Sequence, residues 1–237
     1  MEWNKHLIII SQYPPLSMEA HMDVQAIVDL IDHARAHEAQ SMHLSSLVEK
    51  QLNQLHHTIE LPEENACETL LKFVAEYIDH VPDFLKALEK ASEELNIEEF
   101  IYPFLDIIDE NFMAPVLQSR SDIDMYELLE KSYFAHRLIE EVNDTWLIKT
   151  GSTLIPMNMT WPNLIIHAIL GDEFGNELDS IVEQTVQHMM RSKTVFSPEK
   201  FKQLINCRDP EEWVNIWSKW NCMSHQLGID LKFTSAA

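Results

Sequence analysis

At 237 residues, with 46% hydrophobic and 24% charged side chains, the chain has the composition of a folded globular protein and the length for a substantial core. Its 39 acidic residues against 17 basic ones give a formal net charge of −22, which repels a phosphate backbone or an anionic bilayer, so nucleic acid and membrane surface are excluded as expected partners. Only four glycines occur, the first at Gly151, and this excludes the glycine-rich phosphate loops of Rossmann and P-loop proteins.

No run approaches the roughly 18 consecutive apolar residues of a membrane helix. The start, MEWNKHLIIISQYPP, lacks a long apolar region followed by a small-residue cleavage site, so a cytoplasmic location is expected. Cys67, Cys207 and Cys222 are odd in number, widely spaced and without a CxxC pair, which fits free thiols in a reducing compartment. Scarce glycine, abundant Leu, Glu, Met and Ala, and few alternating apolar/polar runs predict an all-α protein. With no linker composition and no internal repeat, residues 1–237 read as one domain: a single multi-helix bundle with two short C-terminal helices packed on it.

The first predicted helix covers roughly residues 18–58. Val24, Ile27, Val28 and Ile31 mark its inner face, which reaches Glu38 and Met42. Beyond residue 42 the apolar set moves to Leu44, Leu47, Val48, Leu52 and Leu55, so the helix bends, breaks or changes neighbours there. Glu38 is its inward carboxylate. His33 and His37 form an HxxxH pair, but on the solvent side and with no HExxH glutamate, which fits adventitious metal binding only.

Helices follow at roughly 63–80, 82–95 and 97–113, separated by prolines at first-turn positions. Glu76 and His80 lie off the face of Leu70, Phe73, Val74 and Tyr77 and read as surface. Asn111 falls in the arc of Phe100, Ile101, Phe104, Leu105, Ile108 and Phe112, as a satisfied core amide or as support for a site beside it.

The segment at roughly 122–149 contains YFAHRLIEEVND. Met125, Leu128, Leu129, Ile139, Val142, Trp146 and Leu147 mark one face, and Glu127, Glu130, Arg137, Glu141 and Thr145 the opposite, solvent one. His136 and Asn143 lie within the apolar arc and Glu140 at its margin. Burying an imidazole or a carboxylate costs several kcal/mol unless it is hydrogen-bonded, neutralised or metal-bound, so these positions mark either a satisfied core pair or a site.

After a loop at 149–162, the stretch WPNLIIHAILGDEFGNELDSIVEQTVQHMM predicts helix over roughly 161–192, with His167 inside the arc of Leu170, Phe174, Leu178, Ile181 and Met189. Asp172, Asp179 and Glu183 face away. Gly171 is able to end one helix and Asp172 to start the next. Short helices at roughly 198–206 and 210–226 are capped by Ser197 and Asp209. Trp213, Trp217 and Trp220 stripe the last one, which reads as packing, and Cys222 with His225 is half a zinc site without its other half.

Carboxylates and imidazoles from facing helices are the ingredients of a non-haem iron or manganese centre. The chain has no Glu-x-x-His, which counts against ferritin-like di-iron proteins. An all-helical chain of this length with inward Glu38, His136, Glu140 and His167 resembles the heme-oxygenase-like helical proteins, a group with TenA-type enzymes and iron oxidases. The resemblance implies a small-molecule pocket between long helices.

Two readings follow. In the first the protein is a small-molecule enzyme: Glu38, His136, Glu140 and His167 hold iron or manganese supported by Asn111 and Asn143, or Glu140 is a metal-free general acid or base oriented by His136. In the second it is a non-catalytic helical protein that binds a ligand or partner, with structural His–Glu pairs. Homodimerisation through an apolar helix face is compatible with either.

Overall fold

The computed structural model describes residues 23–52, 54–55, 59–62, 64–95, 98–113, 123–150, 159–190 and 230–231. The expected helices at 198–206 and 210–226, the Trp213, Trp217 and Trp220 stripe, Cys207, Cys222 and His225, and most of the loop at 149–162 lie outside the described residues. The described residues form seven helices and one two-residue antiparallel pairing, so the chain is all-α. No described helix is long and apolar enough to cross a membrane.

Helix α1, Val24–Ser41, starts where the Asp23 carboxylate accepts the Ala26 N–H at 3.1 Å. It ends at Met42, which takes a left-handed φ of 53°, and α2, His43–Leu52, sets off from there. The shift of the apolar face at residue 42 is thus a break. Glu38 secures it: its carboxylate accepts the Leu44 and Ser45 backbone N–H groups and the Ser45 hydroxyl, each at 3.0 Å, capping α2 from the preceding helix. Glu38→Ala is expected to cost about 1 kcal/mol, as for loss of an N-cap, in urea unfolding; an unchanged midpoint would show that water replaces the carboxylate.

The strand β1, Ile59–Glu60, pairs with β2, Asp230–Leu231. Helix α3, Ala66–Leu95, runs through Pro82 instead of ending there. Tyr77, Ile78, Val81, Leu85 and Leu88 form one buried stripe across that residue, and burial at about 1.5–3 kcal/mol per large side chain offsets a proline's cost of about 3 kcal/mol. Helix α4, Glu98–Met113, matches its expected bounds.

Helix α5, Met125–Thr150, packs against all six other described helices. Every residue from Leu128 to His136 is buried, which a helix with a solvent face does not permit. The expected outward assignment of Glu130 is therefore wrong: it is 7% exposed. Helix α6, Thr160–Leu170, ends at Gly171 with φ 87°, and α7, Asp172–Met190, begins at once, as the glycine anticipated.

Candidate functional site

Four helices bring polar side chains to one seam, and Arg137 of α5 is its hub. Its Nε donates to Asp179 Oδ1 of α7 at 2.8 Å and its Nη1 to Glu140 Oε2 at 2.6 Å. Glu140 also accepts Asn163 Nδ2 on Oε2 and the Thr160 hydroxyl on Oε1, both from α6 and both at 2.6 Å. The Asn163 carbonyl oxygen accepts the Tyr77 hydroxyl of α3 at 2.6 Å, and Tyr133 donates to Asp179 Oδ1 at 2.9 Å. One continuous set of hydrogen bonds thus ties α3, α5, α6 and α7.

The seam is partly shielded from water: side-chain exposure is 19% at Arg137, 14% at Glu140 and 31% at Asp179. Burial opposes the charge on Arg137, yet its hydrogen bond to Asp179 and the charge of Glu140 outweigh that and raise its pKa further. Burial, with the charge of Asp179, likewise raises the Tyr133 phenol, so it stays a neutral donor. Arg137 and Asp179, expected to face water, instead carry the network.

His136 joins it through α3. It is 1% exposed, its Nε2 donates to the Tyr77 carbonyl at 3.2 Å, and its ring meets the Tyr77 ring edge-on at 4.4 Å between centroids. Its Nδ1 is buried without a hydrogen-bond partner. His80, expected on the surface, is half-buried with its ring 5.3 Å from that of His136.

His167 sits at the other end, 19% exposed, with Nε2 3.8 Å from Asp179 Oδ2 and Nδ1 3.9 Å from Asp172 Oδ1. Its ring lies on the α7 backbone at Gly175, where an added Cβ would stand 2.5 Å from Cδ2, so a side chain there would displace the imidazole. Beside it, Asp172, Phe174 and Glu177 line an open cleft of about 440 Å³ at the α6–α7 corner.

His136, Glu140 and His167 therefore share one network, whereas Glu38 is committed to the α1–α2 junction. Among the described residues no group of three or more His, Cys, Asp or Glu side chains is placed to hold a metal ion, so the four expected ligands do not form a single centre. Asn143 is half-buried on α5. Asn111 is 6% exposed, and its backbone carbonyl accepts the buried Lys131 ammonium at 2.6 Å, a second polar cluster at the other end of α5.

Sequence reasoning missed Tyr77, Tyr133, Arg137, Asn163 and Asp179. Helical periodicity offered no signal for them: on α5 the charges of Glu127, Glu130, Lys131, Arg137, Glu140 and Glu141 fall on one half of the helix, as they would on a solvent-facing one. The chain matches no protein-family model, no curated protein and no solved structure.

Proposed function

We propose that this chain is a non-catalytic helical binding protein for a ligand or partner, and that its inward His–Glu network holds the bundle together. One observation carries the reading. The Glu140 carboxylate accepts three hydrogen bonds, from Arg137, Thr160 and Asn163, and so is engaged as a structural acceptor instead of standing open toward a substrate proton.

The enzyme reading, with its heme-oxygenase-like architecture, small-molecule substrate and iron or manganese, keeps one observation in its favour. His136 Nδ1 is a buried lone pair without a partner, which a metal or substrate would satisfy.

Metal analysis of protein purified without a histidine tag separates the two, alongside His136→Ala and His167→Ala. The binding-protein reading expects substoichiometric metal and variants whose defect is lost stability. Iron or manganese near about one or two equivalents, lost in both variants, overturns it in favour of the enzyme.

A further inference from the structure

The described residues leave four large hydrophobic side chains exposed, and three of them flank one seam. Leu147 and Ile148, in the last turn of α5, are 41% and 84% exposed, and Leu164 of α6 is 48% exposed. The Thr160 hydroxyl bonds Glu140 at 2.6 Å, which lays α6 beside the C-terminal half of α5. At about 100° per residue, Glu140, Glu141, Asp144, Leu147 and Ile148 fall within an arc of about 120° on α5. Leu164 stands one turn beyond Thr160 on the same side of α6, a helix with no Asp, Glu, Lys or Arg.

The carboxylates on this strip are not matched by cations. Arg137 is bonded to Glu140 and Asp179, whereas Glu141 and Asp144 have no ion-pair partner among the described residues. Burial raises the pKa of both, and the charge of Arg137 opposes the rise without cancelling it. Exposed Leu and Ile beside unpaired carboxylates make a surface that suits neither an acidic partner nor a purely apolar one.

We propose that this strip, the C-terminal end of α5 with Leu164 of α6, is a docking surface for a partner's amphipathic helix that carries lysine or arginine among its apolar residues. The inference rests on the binding-protein reading above and names the kind of partner.

Two features favour that occupant. From Glu140 to Ile148 the strip runs about 12 Å along α5, which matches two turns of a helix laid into the seam. Lysine and arginine cover apolar surface with their stems and reach carboxylates with their heads, so one side chain engages Ile148 and Asp144 together. A second copy of this chain brings the opposite electrostatics, since each copy carries a net charge of −22.

Fluorescence anisotropy of a labelled 18-residue amphipathic leucine–lysine peptide, titrated with the full chain at about 0.3 M salt to screen its overall charge, tests this. Ile148→Asp and Leu164→Asp should each weaken binding at least about tenfold although both add negative charge. Met42→Asp, at an equally exposed position on the α1–α2 break, should leave it within about twofold. Affinity retained or raised in both strip variants, or lost equally in Met42→Asp, shows attraction to net charge alone and overturns the proposal. So does a dimer of the chain in sedimentation that Ile148→Asp dissolves. Absence of peptide binding together with an Ile148→Asp variant of lowered stability means that the chain's own residues cover the strip, and also overturns it. The non-catalytic reading falls separately, on the metal content described above.

Discussion

Replacing Arg137 with leucine is expected to be among the most destabilising single changes in the bundle, at about 3 kcal/mol, because it strands two partly buried carboxylates. Glu140 and Asp179 are 14% and 31% exposed, and the guanidinium bridges them from one side chain. Their exposure places the loss toward the lower end of what breaking a buried ion pair costs, since water partly screens them.

Arg137→Lys distinguishes charge from geometry. Lysine keeps the positive charge but not the planar fork that addresses Asp179 through Nε and Glu140 through Nη1, so roughly half of the loss is expected to persist. Urea midpoints at constant m-value provide the measurement. A leucine variant within about 0.5 kcal/mol of wild type would mean that the four-helix seam draws little from this network and that apolar packing alone holds α7 on α5. A double-mutant cycle with Asp179→Asn should give a coupling of about 1 kcal/mol or more, since the two side chains share one hydrogen bond.

How much of this was legible follows from what helical periodicity assumes. Projection around the helix found His136 and His167 inside an apolar arc and Glu140 at its margin, because the apolar residues of each helix are enough to define its inner face. The same test assigns everything opposite the arc to water. That holds for a helix on the outside of a bundle and fails for α5, which other helices surround. Glu130 and Arg137 were misplaced for that reason, and Asp179 because its partner lies on another helix.

The breaks divide similarly. Met42 was foreshadowed by a shift of the apolar face and Gly171 by its conformational freedom, whereas Pro82 looked like a boundary although the buried stripe continues past it. Glu38 was taken for an inward ligand because it lies on the face of Val24, Ile27, Val28 and Ile31, within the same helix. In the structure the chain turns at Met42, and the carboxylate meets the exposed N–H groups of α2.

At the other end of α5, Glu130→Gln is expected to stabilise the protein at about pH 7.5 by about 1–2 kcal/mol and to change little near pH 4.5. Burial pushes Glu130 up to about 7 and its neighbour Lys131, 3% exposed, down to about 8, from ordinary values of 4.5 and 10.5. Between pH 4.5 and 7 the folded chain holds a proton on Glu130 that the unfolded chain has released, so this group adds stability as pH falls and costs most above 7. Between pH 8 and 10.5 the unfolded chain holds a Lys131 proton that the folded chain has released, so stability is regained as pH rises and the cost is greatest below 8. Both costs coincide between pH 7 and 8.

Lys131→Met should act in the opposite sense. It removes one buried charge, but it takes the donor from the Asn111 carbonyl and the cation from beside Glu127, 3.9 Å away, and Glu130. A net loss of about 2 kcal/mol is expected at about pH 7.5, shrinking toward pH 4.5 as Glu130 becomes neutral. His80 and His136 push the other way below about pH 6.5, losing stability as pH falls, but they are common to all three proteins and cancel in variant-minus-wild-type differences. If Glu130→Gln were neutral or harmful at about pH 7.5, the carboxylate's hydrogen bond from Tyr126 and its attraction to Lys131 would together outweigh its desolvation, and this end of α5 would be held by its charges.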